Sequence, residues 1–196
     1  MPIGQAKFGL LGGVADLGKL ELIETQEVNQ TVSALEFTNL QESTYNVHLL
    51  TISDGENNAG TENPSIRLSN NGGSSYISTG SLYQYAQRYQ QATGTLGGEI
   101  KSSGADAWFN FSSNISGTNA RWNGYIYFYN LGDSSKFSFY TSQTICTVYS
   151  SLVCQARFGI GLLKSAQTIN AFKIDGDSFN GTLRNGVYSL YGIAQD

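Results

Sequence analysis

Apolar and polar residues alternate with a period of two along most of this chain, the spacing that sends successive side chains to opposite faces of a β-strand. In ALEFTNL, Leu35 and Phe37 fall on one side and Glu36 and Thr38 on the other. TYNVHLLTI follows, with Tyr45, Val47 and Leu49 on a common face. The clearest unit is WNGYIYFYNLGDSSKFSFYTS, two aromatic alternating runs joined by LGDSS, with Tyr125, Tyr127 and Tyr129 opposite Ile126 and Phe128. That pair is expected to be the spine of the fold. ARFGIGLL and INAFKI supply two more strands, and GVYSLYGI another, with Val187, Ser189 and Tyr191 opposite Tyr188 and Leu190.

Between these runs lies turn chemistry. SDGENNAGTENP, acidic and rich in glycine and asparagine, reads as a long exposed loop. SIRLSNNGGSSYIS reads as a strand, an Asn71-Gly72 turn and a second strand, because both central positions of such a turn favour positive φ. DGDSFNG turns the chain again. SLYQYAQRYQQATG is ambiguous, since Tyr83, Tyr85 and Tyr89 fit a strand face while Leu82, Tyr85, Ala86 and Tyr89 fit a helical one; its β-rich neighbours favour strand. Many short strands separated by turns, with no helix-strand alternation and no repeat, predict an all-β antiparallel sandwich of jelly-roll type.

The first residues do not fit that pattern. IGQAKFGLLGGVADLG carries glycines at 9, 12, 13 and 18 that would weaken any regular element, so residues 1–22 are expected to be an extended arm and 23–196 the sandwich. The apolar residues Ile3, Phe8, Leu10, Leu11, Val14 and Leu17 need a surface to cover. The stretch is a poor secretory signal, because only Lys7 precedes its interrupted apolar centre, and a cytoplasmic product is expected.

Composition narrows the partners. Charged residues make up 13% of the 196, against a usual share of about 25%, while 23 Gly, 12 Tyr and 10 Phe accompany many hydroxyl and amide side chains. The formal net charge of −4 repels a phosphate backbone, so no nucleic acid is expected, and no apolar run is long enough for membrane insertion. A low-charge, tyrosine-rich surface suits protein contacts and predicts a homo-oligomer.

The search for reaction chemistry returns no catalytic residues, no metal site and no cofactor. His48 is the one histidine and falls inside an expected strand, where a packed or hydrogen-bonded imidazole is the simpler reading than a triad member or ligand. Cys146 and Cys154 would face each other across a hairpin in TICTVYSSLVCQA; a disulfide is conceivable there, but two reduced, buried thiols are favoured. Neither belongs to a CxxC pair, and GLLGG and TGTLGG lack the lysine and helix of a phosphate loop. Asp175, Asp177 and Asn180 loosely imitate the start of a calcium loop without its closing glutamate, so a turn is preferred. Asp54, Glu56 and Glu62 are surface acids of a loop, not a pair held for glycoside hydrolysis. The sequons at Asn110 and Asn114 carry little weight without export. Trp108, Trp122, Tyr125, Tyr127 and Tyr129 can form a sugar-stacking platform or a subunit contact, against the competing and preferred reading that they fill the core or a contact.

EFTNLQESTYNVHLLTI, SNNGGSSY, WNGYIYFYNLGDSSKFSFY and the closing YSLYGI together resemble the small β-sandwich virion proteins of tailed bacteriophages, found as head decorations, knobs and tail-fibre-like domains. The resemblance spans roughly Val32 to Ile193. It implies a non-enzymatic, projecting virion protein assembled in the host cytoplasm, a homotrimer as first expectation, and other capsid or tail proteins as partners. The six apolar residues of the arm then become virion-docking residues, and the aromatic platform a contact for a host surface glycan in a tail-fibre-like alternative.

Overall fold

The computed structural model describes residues 19–57, 63–93, 97–109, 111–112, 120–148, 152–176 and 182–194. In chain order its strands are β1 (Leu20–Val28), β2 (Ala34–Phe37), β3 (Val47–Asn57), β4 (Pro64–Ser69), β5 (Tyr83–Gln91), β6 (Glu99–Ala105), β7 (Trp122–Tyr129), β8 (Phe139–Val148), β9 (Val153–Leu163), β10 (Ala171–Gly176) and β11 (Leu183–Ile193). They form two antiparallel sheets, an eight-stranded one ordered β1-β11-β3-β7-β8-β9-β5-β6 and a three-stranded one ordered β2-β10-β4. The all-β antiparallel sandwich expected from the alternation is the fold.

The aromatic pair β7–β8 occupies the two central places of the large sheet, as its alternation requires. Ile126, Phe128 and Tyr140 point inward, where Phe128 meets Phe172 of the small sheet at 5.0 Å between ring centroids and Phe172 stacks on Phe37 at 4.9 Å. Trp108 joins this layer against Tyr140 at 4.8 Å and Tyr83 at 5.5 Å. The ambiguous segment is strand β5, with Tyr83 and Gln87 inward. The aromatic strand β11 inserts between β1 and β3 and buries Tyr188 and Leu190.

Glycines on the inner face of β9 explain how so many rings fit. A Cβ on Gly161 would lie 2.0 Å from Cε1 of Tyr140, so the missing side chain is what lets that ring lie across the strand. Gly55 does the same for Trp122, whose indole would meet an added Cβ at 2.2 Å.

Three expectations need correction and a fourth needs completing. First, Asn71–Ser75 do turn, with Gly72 and Gly73 at φ of 70° and 87°, but no hairpin follows; β4 pairs with β10 instead, and after the turn only the Ile77 amide bonds back, to Leu68 O. Second, the strand β3 runs on through Asn57 where SDGEN was read as loop. A shift in register between Ile52 and Gly55, with Asp54 at φ 57°, is a bulge that redirects the following residues and buries Glu56. Third, Cys146 pairs with Gln155 and Thr147 with Cys154, a one-residue offset that puts the thiols on opposite faces, Cys146 buried and Cys154 exposed, both free. Fourth, Val47 and Leu49 do share a face, but the core side of β3 is His48, Leu50 and Ile52.

The sheet begins at Leu20, inside the segment expected to be arm. The docking residues Ile3, Phe8, Leu10, Leu11, Val14 and Leu17 lie outside the described residues, as do Glu62, Asn110, Asn114, Asp177 and Asn180.

Candidate functional site

The polar residues with any chemical promise are spent on one another. Asp175 lies on the side of the small sheet away from the core, where Arg67 Nη1 donates to both its oxygens at 2.7 and 2.6 Å, Ser65 Oγ donates to Oδ1 at 2.5 Å, and Lys173 Nζ stands 2.9 Å from Oδ2. Arg67 is 1% exposed, so this is a buried ion pair that leaves the carboxylate no free edge for a cation. Glu56 is likewise buried, beside Arg121 at 3.2 Å and accepting from Asn185 Nδ2, while Arg121 also reaches the exposed Asp54 at 3.2 Å. Arg184 Nη1 lies 3.7 Å from the other Glu56 oxygen, so two guanidiniums face the two carboxylates and the cluster is an internal ion-pair network. His48 sits in the core with Nε2 donating to Leu40 O at 2.7 Å, and burial pulls its pKa below the ordinary value. Among the described residues, no group of three or more His, Cys, Asp or Glu is placed to hold a metal.

The five aromatic candidates divide. Trp108 and Trp122 are fully buried in the core, out of reach of any ligand. Tyr125, Tyr127 and Tyr129 form a ladder on the opposite, outward face of β7, with centroids 5.6 and 6.4 Å apart. Two of their hydroxyls bond to neighbours on β8: Tyr125 donates to Gln143 Oε1 at 2.8 Å, and Tyr129 shares a hydrogen bond with Thr141 at 3.2 Å.

This ladder is the middle of something larger. Following the register across the large sheet, Leu22 on β1 stands beside Tyr191, then Leu49, then Tyr127; the row continues through Thr141, Ile160 and Ala86 to Lys101 on β6. The adjacent row runs Leu20, Ile193, Val47, Tyr129, then Phe139, Leu162 and Gln84. One row further the face turns polar, through Thr25, Ser189 and Thr51 on one half. Two neighbouring rows thus make an apolar band across the outer face, from one sheet edge almost to the other.

The band has relief. Leu22 and Ile160 protrude, each 60% exposed, whereas Leu49 on the same face is only 9% exposed, sunk among its neighbours. At the β5–β6 end the face hollows into a concavity of about 1040 Å³ between Phe139, Tyr129, Leu162, Ala86 and Lys101. Eight large apolar residues of this face (Leu20, Leu22, Tyr125, Phe139, Ile145, Phe158, Ile160 and Val187) are between 39% and 60% exposed. Four of them (Leu20, Leu22, Phe139 and Ile160) lie in the band and four in the rows beyond it, so the band itself presents apolar surface on the order of 400 Å². That is the size of the largest apolar patch of an ordinary monomer, which is often a functional one.

Sequence reasoning found the tyrosines of this face and missed the rest. The signal for Leu20 and Leu22 was present as alternation in LELIE, broken by the register shift between Leu22 and Glu24. No family model matches the chain, and neither a curated protein nor a solved structure was found to match it.

Proposed function

We propose that the protein is a non-enzymatic virion structural protein, a head decoration or knob whose sandwich projects from the particle and whose arm, the residues ahead of β1, docks it there. The observation that carries the non-enzymatic part is the outer face: the molecule presents a broad, largely apolar surface, and its buried carboxylates are held by internal cations. A broad apolar face suits assembly, and the concavity on it is lined by no carboxylate, histidine or cysteine among the described residues. The placement on a phage particle rests on the sequence resemblance alone.

A tail-fibre-like adhesin recognising a host glycan is the second reading. It is favoured by the outward ladder of Tyr125, Tyr127 and Tyr129 with amide and hydroxyl partners alongside. Both readings keep the expectation of no membrane insertion, which came from the lack of a long apolar run in the sequence.

The test is to purify particles from the source, measure copy number by mass spectrometry, and compare the intact chain with one lacking Pro2–Gly18. The expected result is many copies per particle, with the shortened chain folded but excluded. Absence of the protein from particles overturns the virion reading. Normal occupancy by the shortened chain overturns the docking arm.

A further inference from the structure

We infer that the apolar band on the outer face of the large sheet is covered by a second copy of this chain, the two sheets packing face to face about a twofold axis that runs along the strands between β7 and β8. The inference rests on the proposed function only in taking this face as an assembly surface.

The argument is self-complementarity. A closed pair requires one patch to fit itself, residue i meeting j while j meets i. A twofold axis parallel to the strands reverses the order of strands across the interface and keeps each row facing itself. With the axis between β7 and β8, β1 of one copy crosses β6 of the other, β11 crosses β5, and β3 crosses β9. Along the first row, Ile160, the most protruding residue of β9, comes over Leu49, the sunken residue of β3. Tyr191 comes over Ala86, a large side chain over a small one. Leu22 and Leu20, the exposed ridge at the β1 edge, come over the β5–β6 end, where the concavity lies. The opposite choice of axis, along the rows, would set ridge on ridge and leave both hollows empty.

Amount and chemistry agree with shape. The outer face spans eight strands, about 34 Å from edge to edge, wide enough for the ~800 Å² that each partner contributes to an interface of ordinary size, with the band as its apolar centre. The two central rows carry one charge, Lys101, at their end next to Glu99 at 3.3 Å, and Arg88 and Glu27 stand in the rows beyond them, so the charges sit around the apolar centre rather than in it. Two sheets twisted in the native sense pack within about 30° of parallel, which keeps rows matched over their central strands.

The experiment is analytical ultracentrifugation of the full chain with two variants. The intact chain is expected to sediment as a dimer or an even-numbered assembly. Ile160→Asp should raise the dissociation constant by at least about thirtyfold, the loss expected of a central contact, while leaving the circular dichroism of the folded chain unchanged and lowering its melting temperature only by the concentration-dependent part that the partner supplies. For the second, Leu49→Cys with Ile160→Cys is made in a Cys154→Ser background. Those positions are three strand spacings apart in one chain, about 14 Å, and cannot close within it. Mild oxidation should yield a covalent dimer from the double variant and not from either single one. A strict trimer, a monomer at all concentrations, or the absence of the cross-link overturns the inference. A monomer that binds an apolar dye only after residues 1–18 are removed assigns the band to the chain's own first segment instead. A monomer that still joins particles defeats this pairing and leaves the proposed function standing; a dimer absent from particles does the reverse.

Discussion

The two faces of the large sheet are built from the same strands and the same kinds of residue, yet they have opposite fates. On the inner face, one row runs from His48 through Phe128 and Tyr140 to Gly161, and every member is buried. One residue along each strand, the outer row runs from Leu49 through Tyr127 and Thr141 to Ile160, and ends half-open to water. The difference is not hydrophobicity but cover and fit. Inside, glycines make room for rings, and the small sheet and the segment around Trp108 close over them. Outside, side chains stand up from the sheet with nothing described above them. An aromatic strand therefore says that a sheet will form and leaves open which of its faces the molecule itself will fill.

The largest test of that contrast is a pair of truncations on neighbouring positions of one sheet. Trp122→Ala, which empties a fully buried site, should destabilise the fold by about 3–5 kcal/mol. Tyr127→Ser on the outer face should cost the isolated fold under about 1 kcal/mol and show its effect in self-association. Denaturant titration of both variants checks this, and equal losses would mean that the outer face is core in all but exposure.

A smaller effect comes from adding atoms. Gly161→Ala puts a methyl 2.0 Å from the ring of Tyr140, which is wedged between Trp108 and Phe111 and cannot swing aside. A loss of about 1–3 kcal/mol is expected. Ile160→Ala, one residue away on the open face, should leave the midpoint of the same titration almost unmoved. If Gly161→Ala melts like the intact chain, Tyr140 is looser than its neighbours make it.

The smallest effect is one of pH. Burial lowers the pKa of His48 below its unfolded value of about 6.5, so between those two values the unfolded chain binds a proton that the folded chain does not. The stability is therefore complete above about pH 6.5 and declines as the pH falls toward the folded pKa. His48→Gln, which keeps a donor for Leu40 O, should flatten that decline between pH 7 and 5. An identical slope in the variant would assign it to other groups.

How much of this was legible depended on whether pairing was local. The β7–β8 pair, β2 and β11 could be read because an alternation of large apolar and other residues survives along each, whereas β5, whose tyrosines also fit a helical face, was assigned only through its β-rich neighbours. The Asn71-Gly72 turn was also real, but β4 takes its partner about a hundred residues later, and a turn sequence carries no information about a competitor so distant. Bulges defeated the reading of β1 and β3, since one added residue inverts the inward and outward sets beyond it. The strand β6, EIKSSGA, has too few large side chains to show a period. Of the candidate site, the tyrosine ladder was visible and the band was not. A band is a property of eight strands in register, and its members Leu22, Leu49 and Ile160 are scattered over nearly 140 residues.

The position of β11 sets a schedule for folding. Among the described residues the first strand forms a backbone ladder with β11 alone, and β3 lies on the far side of it. While a ribosome is still making the chain, β1 and β3 are both present early and close in sequence, yet no ladder joins them. The aromatic strand Leu183–Ile193 must leave the exit tunnel before that half of the sheet can zip shut. Closing it brings together segments more than 150 residues apart, the kind of contact that makes folding slow. Through that interval β1 has no sheet to join, and its exposed Leu20 and Leu22 wait with it.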